Sequence, residues 1–92
     1  MPITMSSTLM PSKDVAFREI DREVVILDLD SGSYFGLNEI ASRAWGIILE
    51  QKTLADVHAV LLKEYDVAAD QLQMDLLNWA EKLVEKRLLC AQ

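Results

Sequence analysis

The chain has 92 residues, nine of them Lys or Arg and fifteen Asp or Glu, for a formal net charge of −6. That acid excess opposes a nucleic-acid backbone as the main partner, because phosphate contacts need concentrated positive charge. A single cysteine, Cys90, excludes an internal disulfide and a cysteine-held zinc, and no apolar run approaches the roughly 18 residues of a membrane-spanning helix.

An apolar content of 51% suits one small domain with a modest core. The opening "MPITMSSTLMPSKD", residues 1–14, has no basic region followed by an apolar stretch, so it does not read as a signal peptide, and a cytoplasmic location is expected. It has no hydrophobic period, carries Pro2, Pro11 and several hydroxyl residues, and predicts a flexible arm ahead of a domain over 15–89.

"VAFREI" (15–20) alternates imperfectly and predicts a first strand, with Asp21 and Arg22 suited to a tight turn. "EVVILDL" (23–29) is rich in β-branched residues and is the strongest strand in the chain. "DSG" (30–32) is the next turn, with Gly32 free to take a positive φ. "SYFGL" (33–37) returns as a third strand. Adjacent residues of a strand point to opposite faces, so if Phe35 and Leu37 face the core, Tyr34 faces outward. A sequential meander leaves the first and third strands as edges.

The period then changes. Asn38 is a candidate helix cap; Ile40, Ala44, Ile47 and Ile48 line one side of the helix it begins, with Ala41 and Trp45 at the margin, and the helix runs to about Gln51. Thr53 caps a second helix, with Asp56 an imperfect capping-box partner because Glu or Gln is preferred there. Leu54, Val57, Leu61, Leu62 and Tyr65 form its apolar face. A third helix starts at Asp70 or the alanines before it and runs to about Arg87. Its apolar arc spans Leu72, Leu76, Leu77, Trp79, Ala80, Leu83, Val84 and Leu88, wider than one docking stripe requires. A central helix explains that width; so does a groove along one margin, where Trp79 lies beside Asp75, Lys82 and Lys86. The expected fold class is a small α+β winged helix-turn-helix, with a three-stranded antiparallel sheet and three helices.

No self-contained active site emerges. His58 is the only histidine and lies near the apolar face of its helix, so it reads as structural. Asp28 and Asp30 read as a solvated strand end, the three glycines form no phosphate loop, and no metal or cofactor is expected. The third helix offers Gln71, Gln73, Asn78, Lys82, Lys86 and Arg87 toward DNA, diluted by four acids. An exposed edge strand beside an aromatic-bearing helix suits strand addition by a peptide.

"LDLDSGSYFGLNEIASRAW" resembles the start of the coenzyme PQQ synthesis protein D family and its lasso-peptide relatives, in which a turn glycine, an aromatic pair, a Leu-Asn step and a helical tryptophan occur together. Here these are Gly32, Tyr34–Phe35, Leu37–Asn38 and Trp45. Residues 53–89, with "YDV" at 65–67 and Asp75 in the last helix, are similar to the remainder. "LDSGSYFGLN" is closer to the lasso-peptide branch. Two departures stand out: the "EQKT" joint at 50–53 and Arg87, before Leu88–Leu89, occupy places where relatives often have glycine.

The resemblance implies a non-catalytic recognition element that binds the leader segment of a ribosomally made precursor peptide by strand addition. It implies presentation of the leader to a separate cysteine protease that removes it, with a macrolactam-forming cyclase completing a lasso peptide. The alternatives are PQQ-type delivery to a radical S-adenosylmethionine enzyme and, outside the family, a winged-helix regulator binding nucleic acid. Carried onto this chain, the docking edge is Gly32, Ser33, Tyr34, Phe35 and Gly36. The facing helix set is Asp75, Leu76, Trp79, Lys82 and Leu83, with Asp75 and Lys82 as polar contacts and Leu76, Trp79 and Leu83 as an apolar pocket.

Overall fold

A computed structural model describes residues 3–91. The elements run β1 (Leu9–Pro11), β2 (Val15–Ile20), β3 (Glu23–Asp28), β4 (Tyr34–Gly36), α1 (Glu39–Ile48), α2 (Leu54–Glu64), α3 (Ala69–Glu85) and β5 (Leu89–Ala91). β2, β3 and β4 form the expected antiparallel meander, in that spatial order, and the fold is a small α+β unit with three helices. The β2–β3 turn places Asp21 and Arg22 at φ 51° and 70°, both left-handed, as a two-residue hairpin with matching twist requires. Gly32 takes φ 74° in the β3–β4 turn.

The remaining strands were not anticipated. β1 pairs antiparallel with β5, matching Leu9 with Ala91 and Pro11 with Leu89. Residues 3–14 therefore depart from the expected flexible arm; Met1 and Pro2 lie outside the described residues. The physical reason is burial: Ile3, Leu9, Leu88 and Leu89 all join the core. The same stretch also serves α2. Leu54 and Ala55 donate their backbone N–H groups to the carbonyls of Ser7 and Met5, which satisfies two donors that a helix start leaves open. Thr53 and Asp56 complete a full capping box, with Asp56 N–H on Thr53 Oγ1 at 3.1 Å and Thr53 N–H on Asp56 Oδ2 at 3.0 Å. These hydrogen bonds hold the Asp56 carboxyl below the ordinary carboxylate range.

Asn38 caps α1 as expected, accepting the Ala41 N–H at 2.9 Å. Trp45, placed at the margin of α1 by periodicity, is instead fully buried at 1% exposed, and Phe17 of β2 meets it edge-on with ring centroids 5.3 Å apart. α3 buries Leu72, Leu76, Ala80 and Leu83. It ends in a Schellman motif: Leu88 N–H reaches the Leu83 carbonyl, Arg87 N–H reaches Val84, and Arg87 itself sits at φ 62°. Gln51 takes the same φ of 62° after α1. Both places where the resemblance expects glycine thus keep the left-handed geometry that favours it.

Candidate peptide-binding site

The site is built from β4 and the neighbouring flank of α3. The flanking bonds set which backbone groups of β4 are free. Asp28 N–H donates to Ser33 O at 2.9 Å, and Leu37 N–H donates to Val24 O at 2.8 Å. Hydrogen-bonded pairs alternate along an antiparallel ladder, so Phe35, opposite Ile26, turns its N–H and C=O toward β3. Tyr34 and Gly36 consequently turn theirs away from the sheet. Among the described residues no strand pairs with that side. Four backbone groups stand ready for an added strand.

Ser42 holds this edge in place. It is buried, and its Oγ accepts the Val24 N–H at 2.7 Å while donating to the Leu37 carbonyl at 3.1 Å. One hydroxyl of α1 thereby takes over where the β3–β4 ladder ends. The turn at the other end is braced by Asp28, whose carboxylate accepts the Asp30 N–H and the Ser31 hydroxyl, both at 3.0 Å.

Side chains follow the strand alternation. Tyr34 is 70% exposed and projects from the sheet face opposite the helices, as expected. Phe35 packs against the core on the helix side, and the Lys86 ammonium lies 5.3 Å from its ring centroid. Gly32, Ser33 and Gly36 are exposed along the turn and edge. On α3, Asp75, Trp79, Lys82 and Lys86 follow one another at helical spacing and form one stripe. Trp79 is half-buried and lines a cavity of about 410 Å³ with Asp75, Leu72, the α1 cap Asn38 and the α1 residues Ile40 and Ala41. Its indole N–H is buried without an acceptor. Asp75 accepts a hydrogen bond from Gln71 at 2.9 Å, and Lys82 is exposed.

Two members of the expected apolar pocket stand elsewhere. Leu76 and Leu83 are 4% and 5% exposed and belong to the core, because they fall on the inward arc of α3 with Leu72 and Ala80. The apolar wall beside Trp79 comes instead from Ile40 and Ala41 in the first turn of α1. Of these, Ala41 stood at the margin of the α1 apolar stripe in the sequence, and Ile40 on the stripe itself.

His58 Nε2 bonds the Ala69 carbonyl at 2.9 Å and ties α2 to α3. Among the described residues no cluster of His, Cys, Asp and Glu is arranged to hold a metal ion. No helix of the described residues is long and apolar enough to cross a membrane.

The fold has counterparts among solved structures. One structure, TbiB1 in complex with the TbiA(beta) leader peptide, is 35% identical with a TM-score of 0.81, covering 86% of this chain and 92% of that one. A second, a lasso peptide synthetase B1 complexed with the leader peptide, is 25% identical with a TM-score of 0.83, covering 90% of this chain and 98% of that one. No curated protein matches the sequence. The family profile described as coenzyme PQQ synthesis protein D (PqqD) matches residues 23–89, from the start of β3 to the start of β5, and the chain belongs to that family.

Proposed function

We propose that this chain is a non-catalytic recognition protein for the leader segment of a ribosomally made precursor peptide. The leader adds as a strand to β4, lies against the Trp79 flank of α3, and is presented to a separate leader-cleaving cysteine protease in cytoplasmic lasso-peptide biosynthesis. A macrolactam-forming cyclase then acts on the released core. The observation that carries this reading is the open edge of β4, with the N–H and C=O groups of Tyr34 and Gly36 turned outward and Phe35 touched by Lys86 at the end of the α3 stripe that carries Trp79. The two similar structures, both complexes with leader peptides, support it.

Backbone bonds fix the register of the added strand, and apolar anchors beside Trp79 supply most of the affinity. Presentation raises the local concentration of precursor at the protease without chemistry by this chain. Titration calorimetry with the leader peptide encoded beside this chain's gene tests the reading. Binding is expected at micromolar affinity or tighter, weakened at least about tenfold by Trp79→Ala in a folded variant, the cost of one lost anchor. N-methylation of a leader amide facing β4 is expected to weaken it similarly. An intact leader that fails to bind would overturn the reading.

A further inference from the structure

The meander has a second face, turned away from the helices. An antiparallel sheet with one solvated face alternates apolar residues inward with polar residues outward. β3 breaks that alternation. It buries Val24 and Ile26 on the helix side, yet its outward residues Val25 and Leu27 are also apolar. Leu29, whose N–H still bonds the Asp14 carbonyl, continues their row. Neither Val25 nor Leu27 packs against the core. Ile20 and Tyr34 from the flanking strands complete the patch, and Ile20, Leu29 and Tyr34 are 51%, 57% and 70% exposed. The charges on this face, Asp14, Arg18 and Glu23, stand along β2 and at its hairpin turn, on the side away from β4. A contiguous apolar patch with a polar rim marks an interaction surface.

The register joins this patch to the docking edge. Ala16, Leu27 and Tyr34 lie opposite one another across the three strands. A strand added to β4 sets its own outward side chain in that row, beside Tyr34, so loading with leader lengthens the face. From this we infer that the outer face of the meander is the surface on which the leader-cleaving protease docks, touching chain and leader together. The inference rests on the leader-binding reading above and gives that reading's second partner a place. The protease is the occupant because it is the partner that must meet the loaded chain, and seated here it lies alongside the strand leading to the bond it cuts. The protease surface that fits is apolar, with a carboxylate to meet Arg18, which makes no ion pair within 4 Å among the described residues. The purely structural account is that Ile20, Val25 and Tyr34 stand outward because β-branched and aromatic residues favour a strand. That account predicts a cost in stability on replacing this face, and no change in protease affinity.

Ile20→Lys and Leu29→Lys separate the two accounts, with Leu49→Lys, at an exposed leucine that ends α1, as the control. Binding of the protease encoded beside this chain's gene is measured by interferometry on the immobilised chain, with and without saturating leader peptide. The parent is expected to bind the protease more tightly with leader than without. Each face variant is expected to weaken protease binding about tenfold, while leader affinity from calorimetry stays within about twofold of the parent and shows that the variant is folded. Leu49→Lys changes neither affinity. Protease affinity that is unchanged in both face variants, equally weakened in Leu49→Lys or indifferent to the leader overturns the assignment and leaves the leader-binding reading standing. So does a parent–leader complex with no affinity for the protease, or a parallel loss of leader affinity in both face variants. Sedimentation of the parent as a dimer that both face variants convert to monomer also overturns it, and gives the face to a second copy. A parent that binds no leader overturns both readings.

Discussion

The two edges of the meander are built for different purposes. β2 is six residues long, carries Arg18 and Glu19 mid-strand, and rests the edge of Phe17, itself 43% exposed, on the fully buried Trp45. Charges on an edge discourage pairing with another strand. β4 is three residues long and has no charge, and its Phe35 meets Lys86 at the end of the α3 stripe that carries the half-buried Trp79. The indole N–H groups of both Trp45 and Trp79 are buried without a partner. Trp45 is core packing under the β2 side of the sheet, and Trp79 lies on the α3 stripe whose Lys86 end reaches Phe35 of β4. The difference teaches that strand charge, and not unpaired backbone groups, distinguishes the edge proposed for docking, since unpaired groups occur at both.

The largest effect expected from that contrast is on stability. Trp45→Ala removes the bulkiest buried side chain, with an expected cost of about 3–5 kcal/mol, most of the stability of so small a domain. Chemical denaturation checks it, and a loss as large in Trp79→Ala would erase the distinction between the two residues. Next comes Ser42→Ala, which strands the Val24 N–H and the Leu37 carbonyl at the end of the β3–β4 ladder. A loss of about 1–3 kcal/mol is expected, together with weaker leader binding because the edge is no longer held.

Thr53→Ala, far from the groove, is expected to cost about 1 kcal/mol by opening the α2 capping box, with leader affinity unchanged. A smaller effect concerns acid. Hydrogen bonds from Thr53 hold Asp56 below its ordinary range, and those from Arg43, at 2.8 and 2.9 Å, do the same for Glu64. A carboxylate with a depressed folded-state pKa stabilises the fold above its unfolded value, near pH 4, and that contribution fades as pH falls through the folded value. Melting temperature is therefore expected to fall below about pH 4. Asp56→Asn and Glu64→Gln are expected to flatten the fall, and an unchanged profile in both would contradict the assignment.

Much of this was legible in the sequence because it rests on local signals. The β-branched run of β3, the hairpin pair Asp21–Arg22, the turn at Gly32 and the caps Asn38 and Thr53 each carry their own chemistry, and the structure keeps all of them. β1 and β5 were not legible. Three residues are too few to show a period, and their pairing joins opposite ends of the chain. Ser42 was hidden for a related reason: a helix-interior serine becomes informative only once β3 and β4 have been brought to it. At the docking flank, periodicity placed Trp79 on a margin correctly but could not divide a broad apolar arc into core and groove. Leu76 and Leu83 belong to the core, while Ile40 and Ala41 supply the wall beside Trp79.

The central claim, that the leader pairs with β4 and with no other edge, is tested most directly by amide hydrogen exchange measured with and without the leader peptide. The account predicts slowed exchange at Tyr34 and Gly36, whose N–H groups gain partners. It predicts no slowing at Val15, Phe17 and Glu19, the outward-facing amides of β2. Protection that fails to appear at Tyr34 and Gly36, or that appears equally on β2, would contradict it.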